Sequence, residues 1–155
     1  MKKEEIIKVL VQLGTIFNAV ASNDEWRDYD CGLTENEWDN LQLMIKKEKQ
    51  HNPWFTEKNI KSSMKGLSIM LEETALTTFA NNYSYTNQPK KIALIMAGNI
   101  PLVGFHDLIC VLLSGNNALC KLSSQDSRIP MYVIQLLIEI DERLKSKIQL
   151  VVGPL

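Results

Sequence analysis

Two short polar stretches hold the residue types from which a reaction site could be built. The first is Ala97-Gly98-Asn99-Ile100-Pro101-Leu102, which begins where the apolar run Ile92–Ala97 ends. The second is Lys121-Leu122-Ser123-Ser124, at the end of the short apolar run that starts at Ala118. An Asn side chain can donate its NH2 to an oxygen that gains negative charge during a reaction. A Lys at a strand end can hold a ribose hydroxyl or a phosphate. Each stretch alone has an ordinary reading. An Asn in a turn commonly bonds its own backbone, and a Lys after a strand is commonly solvated. The cysteines offer less. Cys31, Cys110 and Cys120 form no CxxC pair, and the two histidines, His51 and His106, are far apart, so no metal ligand set is expected. Cys120 adjoins Lys121, but adjacent strand residues face opposite sides, so it is not read as a nucleophile. Cys110 lies in the apolar segment Leu108–Leu113. His106 falls in the first turn of a helix, where packing or capping is its expected role.

Those stretches need elements to position them. Ile92–Ala97 reads as a strand covered on both faces, because it is continuously apolar. Gly98 to Pro101 cannot continue it. Val103 to Leu113 reads as a buried helix, and Gly115 as its left-handed C-cap. Ala118–Leu122 is a second strand. Ser123, Ser124, Asp126 and Ser127 supply a helix start, Met131 to Lys145 a long amphipathic helix, and Ile148–Val152 a third strand. Strand, helix, strand, helix, strand with right-handed crossovers gives an incomplete, doubly wound parallel sheet. Residues 1–88 read as a helical segment. Ile6, Ile7, Leu10, Val11, Leu13, Ile16, Phe17 and Val20 recur at helical spacing. Thr34 and Glu37 form a capping box before a helix carrying Trp38, Leu41, Met44 and Ile45. Thr56 caps another with Ile60, Met64, Leu67, Met70, Leu71 and Leu76 on it. Trp26 and Tyr29 are expected packing anchors.

Composition narrows the function classes. The 155 residues carry 17 Lys+Arg against 18 Asp+Glu, a net charge of -1, so nothing favours a nucleic-acid partner. With 45% hydrophobic residues the chain can fill a core. No unbroken apolar run approaches the ~20 residues of a membrane span. The start, Met1-Lys2-Lys3-Glu4-Glu5, turns acidic and then amphipathic, unlike a signal peptide, so the expected location is the cytoplasm.

Taken in order, the two stretches resemble the cofactor domain of the aldehyde dehydrogenase superfamily. There a strand enters a Pro-Trp-Asn-Phe-Pro-Leu turn, a helix follows, and a second strand ends in Lys-Pro-Ser-Glu. Asn99, Pro101 and Leu102 match the first motif; Leu113-Ser114-Gly115-Asn116 matches the approach to the second strand. Lys121 lies 22 residues past Asn99 (121 minus 99). Within the superfamily, Met96–Asp107 and Lys121–Asp126 are most similar to the LuxC-like acyl-CoA reductases, which reduce fatty acyl-CoA to aldehyde with NADPH. The resemblance implies that Asn99 stabilises the oxyanion, that Lys121 binds the adenosine ribose, and that Ser123 and Ser124 belong to the cofactor-binding set. It implies that the backbone of Met96, Ala97 and Gly98 lines the nicotinamide side. The family's aromatic residue before the Asn is replaced by Gly98. Its Glu, three residues after the Lys, is Ser124, which removes a carboxylate from the 2'-phosphate and favours NADP(H) over NAD.

The resemblance makes residues 89–155 the first part of a dinucleotide-binding domain. It places the nucleophilic Cys beyond this chain, with acyl-CoA as the substrate. An open strand edge at Ile148–Val152 fits a longer enzyme and would favour homo-oligomers of the chain alone. Two other readings stay open: a complete, non-catalytic nucleotide- or CoA-binding module, and an interaction domain that binds a partner through its helices.

Overall fold

The computed structural model describes residues 1–28 and 33–151. The expectations for Tyr29, Cys31 and Val152 lie outside the described residues. The chain is α/β: helices α1 (Lys3–Ser22), α2 (Glu35–Lys47), α3 (Glu57–Met70) and α4 (Glu73–Asn81) precede the sheet. Strands β1 (Lys91–Ile95), β2 (Asn117–Lys121) and β3 (Ile148–Leu150) alternate with α5 (Phe105–Leu113) and α6 (Arg128–Ile140). The strands are parallel, in the order β1-β2-β3.

Local chemistry sets most of the helix boundaries. The Thr34 hydroxyl accepts the Glu37 N–H while the Glu37 carboxylate accepts the Thr34 N–H, so α2 begins in the expected capping box. Thr56 caps α3 by accepting the Asn59 N–H. Gly115 at φ 86 ends α5 in the left-handed region. Three expectations are corrected. The apolar pattern from Ile60 to Leu76 is two helices, broken at Leu71 and Glu72. The helix expected over Met131–Lys145 ends at Ile140, because Asp141 turns extended and its carboxylate accepts the Arg143 N–H, starting a 3-10 turn over Glu142–Ser146. The start of α6 has no side-chain cap; Asp126 is engaged elsewhere.

A fourth correction concerns the sheet. β1 is not covered on both faces. Register pairs Ile92 with Ala118 and Leu94 with Cys120. That face packs under α5 and α6, and Ala118, Cys120 and Ile148 are buried there. The other face, with Ala93, Ile95, Leu119 and Gln149, carries no helix among the described residues, and Ile95 is 77% exposed. Both crossover helices therefore lie on one side, as in one half of a doubly wound sheet.

The helical segment packs onto that layer. α1 touches α3, α4, α5 and α6, and Phe17 meets Phe105 edge-on with ring centroids 6.0 Å apart. One continuous apolar core joins the helical segment to the α/β part. α1 is long and apolar enough in composition to cross a membrane, and its apolar stripe is buried against those helices. Trp26 packs on Trp38 at 6.0 Å, as expected of an anchor. The α1–α3 contact is close at Gly14, where a Cβ would lie 2.7 Å from the Leu71 Cβ. Gly14→Ala is expected to destabilise the fold by about 1–3 kcal/mol through overpacking, measured by urea denaturation. An unchanged midpoint would mean that α1 does not press on this turn.

Candidate nucleotide and acyl site at the strand ends

The loop after β1 and the loop after β2 are drawn together by three contacts. The Met96 N–H donates to the Lys121 carbonyl at 3.0 Å, extending the ladder past β1. Ser123 fills the space over Gly98, where a Cβ would lie 2.5 Å from the Ser123 Cβ. The Leu102 N–H donates to the Asp126 carboxylate at 2.7 Å. Leu102 sits at φ 61, a left-handed conformation that costs a non-glycine residue about 1–2 kcal/mol. The buried Asp126 carboxylate holds it there.

Asp126 and Glu48 are both buried, at 2% and 3% exposure. Glu48 comes from the 3-10 turn after α2, and the Arg128 guanidinium lies 3.7 Å from its carboxylate. One oxygen of each carboxylate has no hydrogen-bond partner. Burial pushes the Asp126 carboxyl up to about 6, partly opposed by the Leu102 N–H and reinforced by the negative charge of Glu48.

These contacts leave a pocket of about 510 Å³ at the carboxyl ends of the strands. Gly98, Asn99, Ser124 and Gln125 form one side, and His51, Asn52, Pro53 and Trp54 the other. The second side comes from the turn between α2 and α3. Asn52 fastens it across the gap by donating to the Gln125 carbonyl at 3.2 Å. The side chains of Asn99 and Ser124 make no hydrogen bond among the described residues, so both are available to a ligand. An unpartnered amide can donate to an oxyanion, and a hydroxyl can donate to a phosphate.

The candidate residues thus divide. Gly98, Asn99 and Ser124 meet in the pocket. Lys121 stands at the end of β2 on the uncovered face, in register with Ile95, and does not line it. Met96 is buried, Ala97 is exposed, and Ser123 is occupied with Gly98 and with the Gln125 N–H at 3.2 Å. The sequence reading missed the His51–Trp54 wall and the Asp126–Glu48 pair. Asp126 signals only a helix start in the sequence, and Asn52-Pro53 carries no local sign of a site.

The two described thiols, Cys110 and Cys120, stay outside this arrangement. Cys120 is fully buried and burial pushes it up to about 11. Cys110 lies on the outer side of α5, 3.8 Å from the His106 ring, and burial followed by the Asp107 charge raises its pKa. His106 packs edge-on to Phe79 with centroids 6.5 Å apart. None of the described residues forms a metal-binding cluster.

The class the fold defines is α/β, an open parallel sheet with a polar pocket at its strand ends, where ligands bind in sheets of this kind. The family model for acyl-CoA reductase (LuxC) matches residues 14–153. The chain belongs to the LuxC acyl-CoA reductase family. No curated protein and no solved structure matches it.

The Asp126 environment has a pH signature. Its folded value, about 6, lies above the ordinary value of 3.8. The folded state therefore binds this proton more tightly, and the group's contribution to stability is fullest below about 4 and is lost as pH rises through about 6. Asp126→Asn, which keeps an acceptor for the Leu102 N–H, is expected to flatten stability between pH 4 and 6. Asp126→Ala, which orphans that N–H, is expected to cost about 1–3 kcal/mol at neutral pH. Thermal melts across pH check both; an unchanged pH profile in Asp126→Asn would refute the burial argument.

Proposed function

We propose that this chain provides the dinucleotide-binding and oxyanion-holding part of an NADPH-dependent acyl-CoA reductase. The observation that carries the proposal is the pocket lined by both Asn99 and Ser124, whose side chains make no hydrogen bond among the described residues. Membership of the LuxC family supplies the reaction class.

The residues fit such a dinucleotide. No carboxylate among the described residues lines the pocket, so a 2'-phosphate meets the Ser124 hydroxyl rather than a like charge. Lys121, on the adjoining face, adds a cation for the ribose and phosphates. Asn99 donates to the acyl oxygen as it becomes negative, and the Asp126–Leu102 clamp fixes the turn that presents it. NADPH, when bound, supplies the hydride that leaves the product as an aldehyde.

The proposed route uses a cysteine nucleophile that lies beyond this chain. Such a thiolate would take the acyl group from the thioester and release CoA as its thiolate, and the hydride that bound NADPH would supply would free that group as aldehyde and return the cysteine thiolate. Both described thiols have raised pKa values, which supports a nucleophile elsewhere. The bare face at Ile95 and Leu119 supports a sheet that is covered in the working enzyme.

Two outcomes are expected. The isolated 155-residue chain forms no aldehyde from acyl-CoA and NADPH. Aldehyde formation that is abolished by Cys120→Ala would overturn the assignment. In the working reductase, Asn99→Ala lowers turnover by ~10²–10³, while Lys121→Ala raises the KM for NADPH with less change in turnover. Ser124→Glu shifts preference toward NADH. Steady-state kinetics with both cofactors check all three; full turnover in Asn99→Ala would remove Asn99 from the reaction.

A further inference from the structure

Trp54 is the most exposed large apolar residue described, at 79%, whereas Trp38 is 4% exposed and Trp26 packs against it. An indole left in water forgoes a large burial gain. Its backbone is nonetheless fixed. The Trp54 N–H donates to the Asn52 side chain at 3.1 Å, and its carbonyl accepts from the Asn59 side chain at 2.8 Å. Asn52 in turn donates to the Gln125 carbonyl at 3.2 Å. A fixed backbone therefore presents a free aromatic face beside Ser124 and Gln125, at the edge of the pocket. The His51 ring stands on the same wall and makes no hydrogen bond among the described residues.

We propose that Trp54 is the stacking platform for the adenine of a phosphorylated adenosine, with the Ser124 hydroxyl donating to the phosphate on its ribose. This rests on the reading of the pocket as a nucleotide site and adds the residue that grips the base. Stacking suits it because an exposed indole offers a π-face to any planar base. Two molecules of the reaction carry such a group. NADPH bears its phosphate on the ribose 2'-oxygen and CoA on the 3'-oxygen. The pocket recognises the chemistry they share.

The test is a fluorescence titration of the whole chain with 2',5'-ADP, 3',5'-ADP and nicotinamide mononucleotide. Trp26 and Trp38 supply a constant background, because they are held against each other. Quenching by either adenosine bisphosphate is expected, and the tighter one identifies the source. In Trp54→Ala that ligand is expected to bind ~5- to 150-fold more weakly, measured by calorimetry. Trp54→Phe is expected to restore most of the affinity. Trp54→Ala keeps the wild-type melting temperature, because the indole packs on little. Quenching by nicotinamide mononucleotide alone, or unchanged affinity in Trp54→Ala, overturns the assignment. Direct binding of NADPH and CoA to the wild-type chain separates the two levels. If either binds and Trp54→Ala binds it equally well, the platform fails and the nucleotide site stands. If neither binds, both fail.

Discussion

The bond from the Leu102 N–H to the Asp126 carboxylate joins the loop after β1 to the loop after β2, and it does so away from water. Leu102 would not hold a left-handed conformation unaided. With it held, the chain leaves β1, turns at Asn99 and enters α5 at the angle that lets Phe105 reach the core. The same carboxylate fixes the second loop, so Ser123 lies over Gly98 and Ser124 faces the gap. Fixed side-chain positions at a reaction site come from such supports, because donors must be aimed before charge develops.

The helical segment is part of this support. Its 3-10 turn brings Glu48 beside Asp126 and Arg128, and the Tyr132 hydroxyl donates to the Glu37 carbonyl at 2.7 Å, tying α6 to α2. At the far end of α1, Glu5 pairs with Arg143 at 2.8 Å. These ties are spaced along α6 and its continuation, so the helices cannot shift without disturbing the loop after β2. The turn at His51–Trp54 therefore faces Asn99 across a fixed distance and forms a true wall of the pocket.

Much of this was legible in the residues. The Thr34–Glu37 capping box, the Thr56 cap, Gly115 and the alternation of apolar runs are local signals that located α2, the start of α3, the end of α5 and the three strands, but not the break at Leu71–Glu72 or the end of α6. Asn99 and Ser124, which line the pocket, could be singled out because motifs are short and contiguous. The opposite wall was not, because Asn52-Pro53-Trp54 meets Gln125 across 73 positions, and no local pattern encodes that meeting. Asp126 was misread for a related reason. An acidic residue before a helix has a ready local partner, and only the fold shows that it bonds a distant N–H instead. The uncovered face of β1 was hidden too, since Ala93 and Ile95 are as apolar as the buried Ala118 and Cys120.

The contact between Gly98 and Ser123 makes two positions into one unit of heritable change. A side chain at 98 collides with the serine, whereas a smaller residue at 123 alone leaves a void beside the turn. A side chain at 98 also comes within 3.1 Å of the Asp126 backbone nitrogen, so it needs the whole loop after β2 to give way, not the serine alone.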